Sequence, residues 1–174
     1  MVDTVQRLLN SHSVHTLADD LPEGRQVLLL TSDEGERSVL KLEKLAPEMV
    51  ARAISVHEVL TGASVPGIVH IRSFGPSCEE RADFYSHLDY LPGVNAEKIA
   101  EWRYEERLAV ILAICAIVSD LHVHGIIHND LKAQNVICSL QDGIPMVGLV
   151  DFDLMHADAH GVPFLPGWFR ATPQ

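Results

Sequence analysis

The chain has 174 residues, of which 47% are apolar and 21% charged, and it carries a formal net charge of −11. That is the composition of a globular domain with a sizeable core, not of a disordered or fibrous chain. The acidic balance argues against a nucleic-acid partner, because phosphate backbones are bound by clustered Lys and Arg. The longest apolar run, Leu108 to Val118, has eleven residues. A bilayer span needs about 20, so this run reads as a core helix and no membrane span is expected. Met1 to Asp20 contains Asp3, Arg7, His12 and His15 and no long apolar stretch, unlike a secretory leader. Cys78, Cys115 and Cys138 are odd in number and unevenly spaced, the last two within apolar runs. Buried free thiols in a reducing, cytoplasmic setting are expected, not a disulfide framework.

In chain order, Gln26 to Leu30 and Arg37 to Leu42 are short β-type runs around the polar cluster Thr31 to Glu36, which predicts a hairpin. Pro47 opens a helix expected to run to about Thr61, with Gly62 as its stop. Met49, Ala53, Val56 and Leu60 recur at helical spacing and mark its buried face. Val65-Pro66-Gly67 is a turn. A strand over Ile68 to Phe74 ends at Gly75-Pro76, and a second, Asp83 to Tyr90, leads into the linker Leu91-Pro92-Gly93. The pattern then turns helical: a short Ala96 to Trp102 segment, followed by Glu105 to Val123, apolar nearly all round and so expected to be buried. Beyond the helix terminator Gly125 lie short strands at Ile126–Ile127, Asn135–Ser139 and Met146–Val150, the last two joined by Gln141-Asp142-Gly143. Strands with one helix, a Pro-Gly hinge, then helix and loops make an α+β, two-lobed arrangement.

The chemistry concentrates in His128-Asn129-Asp130-Leu131-Lys132-Ala133-Gln134-Asn135 and, sixteen residues after Asn135, Asp151-Phe152-Asp153. A carboxylate, an amine and an amide within six residues, with a second carboxylate beside a strand, suit a site that positions a phosphorylated substrate and a hard cation. A plain polar loop with Asp130 capping a turn does not account for the spacing to Asp151.

These residues resemble the catalytic loop and metal-binding turn of eukaryotic-type Ser/Thr protein kinases, whose patterns are His-Arg-Asp-Leu-Lys-x-x-Asn and Asp-Phe-Gly. The resemblance implies a protein-kinase-like fold, with a small lobe of residues 1–91 and a partial large lobe of residues 92–174. It implies ATP and Mg2+ as cofactors and a protein hydroxyl as acceptor. Asp130 would be the catalytic base and Lys132 the charge stabiliser, with Asn135 and Asp151 as metal ligands. Val39-Leu40-Lys41 is similar to the strand that carries the phosphate-clamping lysine. Phe84 to Gly93 resembles the hinge, where backbone groups of Asp89 and Leu91 would meet the adenine edge and Leu88 would be gatekeeper. Gly24 and Val27 stand where the phosphate-covering loop leads into its strand. His122, His124 and His128 invite a zinc reading, but the family pattern already places His122 at the end of the long helix and His128 at the start of the loop.

Four departures qualify the resemblance. Only Gly24 remains of the glycine-rich loop. The helix position that would carry a glutamate for Lys41 falls on Val56; Glu58 is about 200° away around the helix, and Glu48 lies in the first turn, where an acid suits the helix dipole. Asn129 replaces the arginine that reads a phosphorylated activation segment, and Asp153 replaces glycine. Finally, Phe169 to Gln174 resembles the end of an activation segment, so the resemblance covers about two thirds of a kinase domain. The chain is expected to be a piece of a longer protein, or a reduced fold, that leaves apolar large-lobe surface exposed. A pseudokinase scaffold and a small-molecule kinase of the aminoglycoside or choline type stay open as alternatives; Lys132 argues against the latter.

Overall fold

The computed structural model describes residues 4–17, 21, 23–78, 80, 82–152 and 155–157. Asp153 and Phe169 to Gln174, singled out in the sequence, lie outside them. The small lobe is built on a five-stranded antiparallel sheet in the order β1-β2-β3-β5-β4. Its strands are β1 (Ser13–Thr16), β2 (Arg25–Thr31), β3 (Arg37–Glu43), β4 (Ile71–Pro76) and β5 (Phe84–Asp89). The β2–β3 hairpin forms where the Thr31 to Glu36 cluster predicts it; Ser32 Oγ accepts the Glu36 N–H at 3.1 Å and so pins the turn.

Alternation along β3 gives the sheet two faces. Leu40 and Leu42 pack with Leu30 and Tyr85 under the N-terminal helix α1 (Thr4–Asn10), which buries Val5. The opposite face carries Lys41 and meets α2 (Pro47–Ala63). Neither α1 nor β1 was evident in the sequence. α2 runs past Gly62 and stops at Ser64, which adopts left-handed φ of 50°. Its buried residues are Val56, His57 and Leu60, whereas Met49, assigned to the inner face from its spacing, is exposed.

β4 begins at Ile71 and not at Ile68, because the preceding residues cross to the other lobe. There Val69 N–H donates to Leu149 O at 3.1 Å and Leu149 N–H to Gly67 O at 2.8 Å. The large lobe holds β6 (Val94–Asn95), a 3-10 turn at Ala96–Ile99, α3 (Tyr104–Val123), β7 (Ile126–Ile127), β8 (Val136–Gln141), β9 (Ile144–Leu149) and β10 (His156–Ala157). β6, β8 and β9 form one antiparallel sheet, and β7 pairs with β10. One core runs through both lobes, from Val56 and Leu60 of α2 through Ile71 and Leu88 to Val110, Ile117 and Leu121 of α3 and on to Leu149 and Phe152.

α3 departs from expectation. Only Val110, Ile117 and Leu121 are buried, while Leu108, Ile111, Leu112 and Val123 are exposed. These side chains leave an apolar surface open on α3. Cys138 is a buried thiol whose pKa burial pushes up, but Cys115, expected inside, is exposed on α3. Among the described residues no helix is long and apolar enough to cross a membrane.

Candidate active site

Lys41 sits mid-strand on β3, with Val27 of β2 and Ser86 of β5 as its cross-strand partners. Cross-strand partners share a face, so all three side chains stand on the side toward α2. Lys41 is 8% exposed, and its Nζ meets Asp151 Oδ1 at 2.7 Å across 110 residues of sequence. A buried ammonium needs such a partner. The pair links the small lobe to the segment just after β9.

The loop after β7 is fixed at both ends. The His128 ring packs against buried Phe152, with centroids 4.5 Å apart and the planes tilted by 42°. Its Nε2–H donates to Val150 O at 3.0 Å, which leaves Nδ1 to accept the Asp130 N–H at 3.4 Å. Both ring nitrogens of His128 are thus engaged within this loop and the turn after β9. Asn129 and Asp151 both have left-handed backbones, φ 62° and 67°; Asn and Asp enter that region at less cost than other non-glycine residues.

Asp130 Oδ2 accepts from Lys132 Nζ at 2.7 Å and from Asn135 Nδ2 at 3.0 Å. Asn135 Nδ2 also reaches Asp130 O at 2.9 Å. Buried Asn135 is tied to the turn after β9 through its own carbonyl, which accepts the Val150 N–H at 3.0 Å. The structure thus forms two linked groups, Asp130–Lys132–Asn135 and Lys41–Asp151, joined across the Asn135–Val150 bond.

At the hinge, Asp89 N–H donates to His70 O at 2.9 Å. Its carboxylate is held by Arg72 Nε at 2.5 Å and His70 Nδ1 at 3.2 Å. Leu91 lies directly on Gly148 of β9, where a Cβ would stand 2.5 Å from Leu91 Cδ1. Leu88 lines the cavity beside Lys41. Gly24 ends the loop before β2, and its carbonyl accepts the Lys44 N–H at 2.7 Å.

The inner face of α2 presents His57 toward Lys41, one residue beyond the Val56 assigned from spacing. Glu48 and Glu58 are exposed, so neither acid of α2 lies on that face. His57 donates Nδ1–H to Ala53 O at 2.8 Å and packs between Phe74 and Phe84, each 5.1 Å away. Desolvation, with the Lys41 charge, pushes its pKa below the ordinary imidazole value, against the opposing pull of the Ala53 bond and Glu43. Glu43, also buried, pairs with Arg25 at 2.7 Å.

Two lobes that share a core, a strand lysine paired with an aspartate from the other lobe, and an adjoining Asp-Lys-Asn loop define the protein-kinase-like phosphotransferase class. In agreement, the family model described as "Phosphotransferase enzyme family" matches residues 6–159, and the chain belongs to that family. Among curated proteins it is 31% identical over 108 residues to "MAP kinase-interacting serine/threonine-protein kinase 1" of Xenopus tropicalis, covering 60% of this chain and 26% of that protein. It is 26% identical over 134 residues to "Serine/threonine-protein kinase Nek1" of Mus musculus, covering 72% of this chain and 11% of the relative. With "Calcium-dependent protein kinase 21" of Arabidopsis thaliana it shares 30% over 125 residues, 68% of this chain and 23% of the other. The chain therefore spans about a quarter or less of the length of these relatives.

Proposed function

We propose that this chain transfers the γ-phosphoryl group of ATP to Ser or Thr hydroxyls of a protein substrate in the cytoplasm. The observation that carries the reading is the Asp130 carboxylate, with Oδ2 taken by Lys132 and Asn135. That arrangement holds the carboxyl group in one orientation, and Oδ1 is the oxygen left to take or orient the acceptor hydroxyl's proton. Lys132, half exposed at the mouth of the site, offsets charge that develops on the transferred group. Lys41 holds the α- and β-phosphates, and the Asp89 carbonyl and Leu91 backbone meet the adenine edge. Gly24 and Val27 cover the nucleotide from above.

The donor set fits magnesium. Asn135 Nδ2 is committed to Asp130, so the amide presents Oδ1, and with the Asp151 carboxylate this makes a pair of hard oxygen ligands. Magnesium, when bound there, supplies charge neutralisation at the phosphates. Lys132 beside Asp130 favours a protein acceptor over a small molecule, by family likeness. A second reading, a nucleotide-binding pseudokinase, draws on the absence of an α2 carboxylate on the face toward Lys41. Thermal shift with ATP, with and without magnesium, followed by radiolabel transfer on the same sample separates the two. Magnesium-dependent stabilisation with transfer supports the enzyme; stabilisation without transfer supports the scaffold. An unchanged melting curve removes both.

A further inference from the structure

α3 turns Val110, Ile117 and Leu121 inward, and roughly on its opposite side it carries a second stripe that the described residues leave open. Leu108, Leu112, Cys115 and Ser119 are all exposed and recur at steps of four, three and four residues. Glu105 before them and His122 after them, both exposed, continue the alternation at the two ends. That alternation is the spacing of a seam made with one other helix whose axis lies nearly along this one. An extended peptide would read a two-residue period instead. The stripe is also self-complementary, in one direction only. Set antiparallel on a second copy, about a two-fold axis between Ala113 and Ile114, Leu112 falls opposite the partner's Cys115 and Leu108 opposite the partner's Ser119. Glu105 falls opposite the partner's His122. Large side chains then meet small ones, a carboxylate meets an imidazole N–H at each end, and the helix dipoles oppose. Parallel pairing would set Glu105 on Glu105 and Leu112 on Leu112, like charge on like charge and large on large.

We propose that this face of α3 is the interface of a symmetric antiparallel homodimer, in which the helix packs on the same helix of a second copy. The contact is isologous, so each complementary pair occurs twice. Between its two outer layers the seam carries no charged side chain, and closing it strips water from no unpaired charge. Glu105 and His122 are seventeen residues apart in one helix, about 25 Å at 1.5 Å per residue. They cannot meet within a chain, so any energetic coupling between them passes between copies. An unrelated helix can cover the apolar stripe but does not reproduce that reciprocity. The interface uses neither the Asp130–Lys132–Asn135 loop nor the Lys41–Asp151 pair and does not rest on the phosphotransfer reading.

Sedimentation of the full chain over the micromolar range should show a reversible monomer–dimer equilibrium. Glu105→Arg sets a cation beside the partner's His122, and His122→Glu sets two carboxylates together. Each alone should weaken association about tenfold. The double variant restores the pair with its charges exchanged and should return close to wild-type affinity. Melting curves of the dilute monomers separate lost association from lost folding. A cross-link gives a second measure. With Cys78→Ser, Cys115 is left as the exposed thiol. In the proposed register the two Cys115 residues are offset by about 4.5 Å along helices about 8–10 Å apart, so a short bismaleimide should join two chains. A monomer at every concentration overturns the proposal and leaves the face to another segment or a different partner. A dimer whose affinity does not recover in the double variant, or whose Cys115 thiols stay unlinked, overturns it as well.

Discussion

Replacing Asp130 by Asn is the most direct perturbation of the site. The Asn side chain keeps an oxygen for Lys132 and Asn135, which now reach Oδ2 at 2.7 Å and 3.0 Å. Asn135 also keeps its bond to the residue-130 carbonyl at 2.9 Å. What disappears is a basic oxygen for the acceptor hydroxyl and the charge opposite Lys132. The Asp130–Lys132 pair is partly solvated, with side chains 28% and 48% exposed, so its loss costs about 0–1 kcal/mol of stability. In a domain of this size that is a melting shift of roughly 2–4 °C at most. General-base assistance contributes about 10²–10⁴-fold, or about 2.7–5.4 kcal/mol of barrier at about 1.36 kcal/mol per tenfold. Radiolabel transfer at saturating MgATP should therefore fall by at least about a hundredfold, while MgATP still raises the melting temperature. Undiminished transfer by a folded variant removes Asp130 from the mechanism. Lost nucleotide stabilisation would move its role from chemistry to binding.

Three further outcomes follow. At Gly93, where φ is 148°, a Cβ would overlap the Cys138 carbonyl oxygen, so Gly93→Ala should lose about 2 kcal/mol or more and melt about 4–8 °C lower; an unchanged melting point refutes the tight hinge-to-β8 contact. His87 is buried with Nε2 unpartnered, and desolvation first, then the charges of Arg72 and His12, lower its pKa from 6.5. The unfolded chain then takes up that proton as pH falls below about 6.5, so the stability is complete above that value and drains away toward the depressed native pKa, by up to about 1.4 kcal/mol per pH unit. His87→Leu should flatten the melting curve between about pH 7.5 and 5.5, and parallel curves for the two proteins refute this. On α3, Ile111→Lys with Leu112→Glu replaces side chains 56% and 62% exposed; it should reduce self-association in sedimentation with a stability change near 0.5 kcal/mol or less, and a large stability loss would show that this face is covered.

The site was legible where its signal is local. His128 to Asn135 brings Asp130, Lys132 and Asn135 together within eight residues, and the turn cluster between β2 and β3 fixes Lys41's strand without any tertiary information. At α2 the spacing put Val56 and Leu60 on the buried face, as found, but it included exposed Met49 and passed over buried His57. Met49, Ala53, Val56 and Leu60 fit the helical period, but so do Ala53, Val56, His57 and Leu60, and a histidine is not counted when apolar spacing is scored. The i+4 step from Ala53 to His57 and the i+3 step to Leu60 were the available signal. α3 misled for the opposite reason: apolar on every side, it has no periodicity to say which face a neighbour will cover. α1 and β1 are too short to show a period at all, and their order comes from packing on the outer sheet face through Val5.

The pairing of Lys41 with Asp151 depends on how firmly the post-β9 turn is held, and the backbone accounts for that. Leu149 bonds through both its N–H and its C=O to the Gly67–Val69 crossing, and Val150 bonds through N–H to Asn135 and through C=O to His128. The two residues before Asp151 therefore have all four polar backbone groups taken, two by the small-lobe connection and two by residues of the 128–135 loop. Phe152, on the other side, is clamped by the His128 ring and the shared core. A left-handed Asp151 between two such fixed neighbours has little freedom to swing away, so its carboxylate stays on Lys41 of β3. The cleft is thus assembled mainly through strand and loop contacts. That makes the integrity of the turn, not the disposition of α2, the condition on which Lys41 is held in place.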